Sequence, residues 1–274
     1  TALTAAAALL VVAPLAAILL FLVAQGAAAL GPAFGADAAT ARGTFGGALA
    51  GSLVILAIAC ALGLPVGLGA GLYLAERRGT RRAAALRYLA DVLLGVPSIV
   101  FGIVAWQLVV RPVGHFSAWA GGAALAAIMI PLVARTTDDV LALVPSSLAQ
   151  AALALGYPRW RTALGVVLRA ALPGVVTGAL VAIARVAGEA APLLFTAFGN
   201  QFWNLDPSRP TAALPLRIYA GALGASDAGR REAYAGALVL VALLAAVGAL
   251  ARWVLGRAER RRAAVPATPT GDET

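Results

Sequence analysis

Long apolar runs alternate along this chain with short arginine-rich or turn-rich segments, and the run lengths set the architecture. Residues 3–24 form an apolar run long enough to cross a bilayer at about 1.5 Å per residue. It lacks the charged start and short apolar stretch of a cleaved signal, so it reads as a retained first span. A turn-rich connection at 31–43, with Pro32 and Asp37, leads to an unusually long second run over 45–75. Gly63, Pro65, Gly67, Gly69 and Gly71 fill its second half, where small residues permit close helix packing and the proline implies a kink. A third span is expected over 88–110, with Gly95, Pro97 and Ser98 in its first half. The fourth, 120–143, carries Pro131 and then Arg135, Thr136, Thr137, Asp138 and Asp139 toward its end. The fifth covers 172–198 and the sixth 233–255, separated by a long polar segment at 199–231 that Phe202 and Trp203 anchor at the interface. The pattern predicts an all-α, polytopic membrane protein with six transmembrane helices. One transmembrane domain covers 1–256, and a basic, disordered tail covers 257–274.

Between the fourth and fifth spans, residues 145–174 are more polar than their surroundings. Ser147 followed by Gln150 has the form of a capping box, which starts a short helix ending at Gly156. Pro158 suits the first turn of a second helix. On it Trp160, Leu164, Val167, Leu168 and Ala171 recur at helical spacing, with Arg159, Arg161 and Arg169 off that stripe. Two amphipathic helices therefore meet at a corner. The pattern leaves two readings open: a connection lying on lipid, or a surface for another protein.

Composition sharpens the class. With 61% hydrophobic residues and a mean hydropathy of +0.89, the chain has more apolar surface than a soluble core of this size needs. The net charge of +9 lies in segments between spans, as for a membrane protein with its basic loops inside, so no nucleic-acid partner is implied. Dense arginine clusters (Arg77, Arg78, Arg81, Arg82 and Arg87; Arg159, Arg161 and Arg169; Arg252, Arg257, Arg260, Arg261 and Arg262) mark the inner segments. The outer ones hold the more scattered Arg42, Arg111, Arg209, Arg217, Arg230 and Arg231. Both termini are then cytoplasmic. There is no lysine, so a phosphate-binding Walker loop is absent, and ATP hydrolysis, where transport uses it, belongs to another subunit. Cys60 lies alone in an apolar run, and His115 has no clustered partners, so neither a disulfide nor a metal site is expected.

Two charged residues, Arg185 and Glu189, lie within the fifth apolar run. Each costs about 2.5–3.5 kcal/mol at a span centre, so such residues face a bundle interior or a water-filled path. Four residues apart on one helix they can pair. An arginine fork also suits an oxyanion through parallel charge-assisted hydrogen bonds. An ion pair bracing the bundle and a transient anion site are both compatible with the pattern. Arg135, with Asp138 and Asp139 in reach, suits structural support better than the pathway, and Asp91 pairs with a loop arginine or caps a helix.

Gln150, Ala151, Ala152 and Gly156, followed by a basic amphipathic helix, resemble the EAA loop of type I ABC importer permeases. Gln150 stands where that family usually has glutamate, and Arg169 where its pattern usually ends in proline. The run AIARVAGEAAPLLFTAFGNQFW at 182–203 is similar to PstA-type permeases of phosphate-specific (Pst) ABC transporters. GVPSI at 95–99, ARTTD at 134–138, LVP at 143–145 and LYLAE at 72–76 add to the likeness. The resemblance implies a permease without catalytic residues or cofactors of its own, in the bacterial cytoplasmic (inner) membrane. It implies a heterodimer with a PstC-like permease, two PstB-like ATPase subunits that bind ATP and Mg, and a PstS-like extracytoplasmic phosphate-binding protein. Gln150, Ala151, Ala152, Gly156, Arg159 and Arg161 would then dock the ATPase, and Arg185, Glu189 and Arg135 would be the candidates along the phosphate pathway. The alternatives are a permease of the same architecture for sulfate or molybdate and, from another class, an ATP-independent channel or structural membrane protein.

Overall fold

A computed structural model describes residues 2–34, 45–200 and 204–263. Helix α1 (Ala2–Phe34) is apolar on every face and exposed along most of its length, the surface expected of a helix meeting lipid or a partner span. It leans on the last helix, α10 (Asp227–Ala263), where Phe21 meets Tyr234 edge-on at 5.4 Å. Gly26 lets the two backbones close, since a Cβ there would sit 2.8 Å from the Tyr234 carbonyl oxygen.

At the centre α2 (Phe45–Glu76) packs along α5 (Ala118–Ala142). Gly63, Gly67 and Gly71 face Met129, Val133 and Thr137, so small and large residues interlock at four-residue spacing on both helices. Gly69, off that seam, meets nothing within 4 Å. Pro65 and Pro131 lie inside unbroken helices. Ser117 caps α5 by accepting the Ala120 N–H at 3.2 Å.

The expected third span is two helices. Helix α3 (Arg81–Gly95) starts at Thr80, whose hydroxyl accepts the Ala83 N–H at 3.3 Å. It ends where Val96 turns extended ahead of Pro97 (φ −71°, ψ 131°), the conformation a following proline enforces. Helix α4 (Ser98–Val113) then departs at 100°, so the pair is a broken span or a re-entrant segment. Five other helices among the described residues are long and apolar enough to cross a membrane, and the bent pair, counted as one span, makes six.

Helix α6 (Ser146–Ala154) and α7 (Arg159–Ala187) follow α5, and α7 includes a π-helical stretch at Thr162–Val167. The expected fifth span, 172–198, is not one helix: α7 stops at Ala187, and after Gly188–Ala190 a single turn, α8 (Ala191–Leu194), carries the chain on to the start of α5, where the Thr196 carbonyl accepts the Ser117 N–H at 3.0 Å. Pro192 in that turn is almost fully buried against Gly102 of α4, where a Cβ would lie 2.7 Å from its Cα. An unanticipated helix, α9 (Leu214–Leu223), lies in the segment read as polar. Pro215 sits in its first turn, Leu214 and Leu216 are buried, and the Leu214 N–H reaches Ser52 Oγ at 2.6 Å. The last helix continues to Ala263, about two turns beyond the expected end of the span. Phe202, Trp203 and the tail from residue 264 lie outside the described residues.

Candidate functional site

The corner between α6 and α7 is made by backbone chemistry. Gly156 takes a left-handed conformation (φ +84°) that ends the helix, and the N–H groups of Gly156 and Tyr157 close back onto the Leu153 and Ala152 carbonyls at 3.0 and 3.2 Å. Pro158, extended at ψ 152°, launches α7 as its N-cap rather than from within its first turn. The expected capping box does not form. Pro145 (φ −57°) is the N-cap of α6 and no side chain caps it, so the fixed proline dihedral sets the helix start.

Of the six residues expected to dock an ATPase, Gln150, Ala151, Gly156, Arg159 and Arg161 are exposed, while Ala152 is buried. Around them Leu148, Leu155, Tyr157, Trp160 and Leu164 are also exposed, and the Arg161 guanidinium lies 5.1 Å from the centre of the Trp160 ring. A contiguous apolar patch with an arginine rim suits contact with another macromolecule better than water.

Arg185 occupies the last turn of α7, on an exposed strip with Thr177 and Val181 opposite the buried Val175, Ala182 and Val186. Glu189 lies beyond the break at Gly188, its N–H held by the Val186 carbonyl at 3.1 Å. The two do not share a helix as the spacing suggested. Neither side chain has an ion pair or hydrogen bond among the described residues. The fork of Arg185 is therefore available to an anion or to a neighbouring chain.

Arg135 belongs to a different arrangement. Its Nε lies 2.8 Å from Asp91 Oδ1, and its Nη1 lies 3.5 Å from both Asp138 and Asp139. Asp138, only 4% exposed, also accepts Arg87 Nε at 2.6 Å and Arg78 Nη2 at 3.1 Å. Arg78 and Arg87 extend further hydrogen bonds to the carbonyls of Asp138 and Leu74, at 2.6 and 2.7 Å. Three arginines and three aspartates thus brace the α2–α3 turn, α3 and α5 near the α6–α7 corner. The near pairs of Arg135 were readable from spacing. Arg78 and Arg87, 60 and 51 positions from Asp138, left no trace in it, and Asp91 pairs with an arginine of α5 rather than of a loop. No group of three or more His, Cys, Asp or Glu among the described residues could hold a metal ion.

The pattern of the family "Binding-protein-dependent transport system inner membrane component" matches residues 67–264. The chain is 42% identical over 219 residues to a phosphate transport system permease protein PstA of Yersinia pestis, covering 80% of this chain and 74% of that one. It is 44% identical over 194 residues to the PstA of Haemophilus influenzae, covering 70% and 69%. Its fold resembles an inward-facing MetNI methionine ABC transporter chain with a TM-score of 0.59 at 22% identity, over 78% of this chain and 93% of the other.

Proposed function

The chain belongs to the binding-protein-dependent transport system inner membrane component family, and on that premise we propose that it is the permease subunit of an ATP-driven phosphate importer. It is a multi-pass inner membrane protein and a transport subunit. The observation that carries the phosphate reading is the identity to PstA permeases across most of the chain. The geometry supports the permease part independently: a bundle of spans with one exposed, apolar and arginine-rimmed helix corner between the fourth and fifth.

The pore is completed by a PstC-like permease. Two PstB-like ATPases bind ATP and Mg and supply the hydrolysis, and a PstS-like protein delivers phosphate from outside. The α6–α7 corner, through Gln150, Ala151, Gly156, Arg159 and Arg161, seats in the ATPase with both termini cytoplasmic. When the ATPases close, the corner moves, and the Asp138 network passes that displacement to α2, α3 and α5 as a unit, because the charges inside it hold one another at hydrogen-bond distance. Phosphate meets Arg185 on the exposed strip of α7, which stays protonated and offers a planar fork to two oxygens. Glu189, past the break, repels an anion once Arg185 has turned away. Arg135, bound by three aspartates, braces the path rather than binding the anion.

Uptake of radiolabelled phosphate by cells producing the chain with its partner subunits tests this reading. Unlabelled phosphate should abolish the signal, and sulfate or molybdate at the same excess should leave it. Equal competition by sulfate or molybdate would give the chain to another oxyanion.

A further inference from the structure

Helix α7 changes its winding where its packing begins. From Val167 onward it is seated in the bundle: Val167, Leu168, Ala171 and Val175 share one apolar cluster with Leu72 and Leu141. Gly174 and Gly178 let α5 close on it, since a Cβ at these positions would lie 2.6 Å from Val140 and 3.0 Å from Thr136. Ahead of Val167 that support ends. Leu164 and Gly165 are exposed, and a cavity of about 330 Å³ lies between this stretch, α6 and the ends of α2 and α5, walled by Leu72, Leu141, Val144, Leu153 and Ala163. The same residues, Thr162–Val167, are wound as a π-helix, and the Leu168 N–H bonds the Ala163 carbonyl five residues back. Single π turns are uncommon inside α-helices and recur at functional sites. Gly165 lies within this one, where a Cβ would meet nothing within 4 Å among the described residues, so its contribution is backbone freedom rather than close approach. Thr162 opens the stretch with a buried hydroxyl that has no hydrogen-bond partner among the described residues. Thr177 and Thr196, each also four residues after a proline, return theirs to that proline's carbonyl at 2.8 Å. Pro158 and Thr162 have the same spacing and do not close.

We propose that Thr162–Val167 is the joint of the α6–α7 corner, letting the corner swing into the cavity while α7 beyond Val167 stays seated. A π turn holds about one residue more than an α turn, so rewinding it displaces what precedes it by up to about 1.5 Å along the axis and about 100° around it. The cavity is the room for that movement. Its closure sets α6 against the ends of α2 and α5, which the Asp138 network ties together. An unbroken α-helix over Arg159–Ala187 would instead lever all of α7 with the corner, and with it the strip that carries Arg185. The joint separates the two, so that the corner transmits force while Arg185 keeps its place. This rests on the reading of the corner as the ATPase seat of a phosphate importer.

The test is phosphate uptake per ATP hydrolysed by the full transporter complex carrying Gly165→Ala or Ala163→Phe, with the ratio of ATPase to this chain measured on the same preparations. Gly165→Ala stiffens the turn without a clash, and Ala163→Phe fills the cavity from α7. Both should keep the wild-type ATPase ratio. Uptake per ATP should fall about two- to fivefold in Gly165→Ala, the worth of glycine's backbone freedom, and about fivefold or more in Ala163→Phe. Gly69→Ala, the same change on the open face of α2, should couple as wild type does. The melting temperature of Gly165→Ala should not fall, which separates a joint from a merely structural glycine. Wild-type coupling in both variants, or loss of the ATPase from them, would overturn the joint alone. A wild-type complex that binds no ATPase or takes up no phosphate would overturn the joint together with the reading beneath it.

Discussion

Asp138 accepts hydrogen bonds from two arginines while almost none of its side chain meets solvent, and each of those arginines also reaches a backbone carbonyl. Removing one member of a buried ion network leaves its partners uncompensated, which costs about 3–5 kcal/mol. Asp138→Ala should therefore strip most folded chain from the membrane and markedly lower the melting temperature of what remains. Asp139 is 64% exposed and meets Arg135 only at 3.5 Å, so Asp139→Ala should change stability by less than about 1 kcal/mol. Thermal denaturation of both variants in detergent checks the contrast. Arg185 makes a different prediction, because it has no ion-pair or hydrogen-bond partner among the described residues. Arg185→Ala should assemble normally yet lower phosphate uptake by about tenfold or more, with Arg185→Lys intermediate because it keeps the charge without the fork. Normal uptake by both at equal assembly would remove Arg185 from the pathway.

Helix packing depends on which small residues fall on the α2–α5 seam. A Cβ at Gly71 would lie 2.5 Å from Thr137 Cβ and 2.7 Å from the Ala134 carbonyl, so Gly71→Ala must push the helices apart at a cost of about 1–3 kcal/mol. A Cβ at Gly69 meets nothing within 4 Å among the described residues, so Gly69→Ala should be neutral or slightly stabilising, since alanine favours the helix. Melting curves of the two variants separate the seam from the open face. The cluster of small residues marked this half of α2 for close packing but did not separate Gly63, Gly67 and Gly71, on the seam, from Gly69, off it; hydrophobic run length gave the spans. Breaks were harder to read. The run from Leu172 stays mostly apolar through Gly188 and Pro192, so nothing in hydropathy separates a continuous helix from one that stops at Ala187 and resumes as a single turn packed on Gly102. The 100° turn at Val96 and Pro97 hides in the same way, because a proline within an apolar run marks a kink or a break alike. Helix α9 was missed because its arginine and glycine masked Leu214 and Leu216, although Pro215 in the first turn was a usable signal.

For the whole molecule, the exposed corner matters more than any single contact. Leu155, Tyr157 and Trp160 are 78%, 49% and 59% exposed, and a protein seated over them would bury a patch that otherwise faces water. Trp160→Glu should leave insertion intact and greatly reduce co-purification of the ATPase, read from the subunit ratio on a gel. The position of this corner was legible in the sequence, through Gly156, Pro158 and the arginines off the apolar stripe. The most direct test of the account is ATP hydrolysis by the complex reconstituted in lipid with its phosphate-binding protein. Hydrolysis should rise when phosphate is added and not when sulfate is added. A complex in which no ATPase associates with this chain, or in which hydrolysis ignores phosphate, would contradict it.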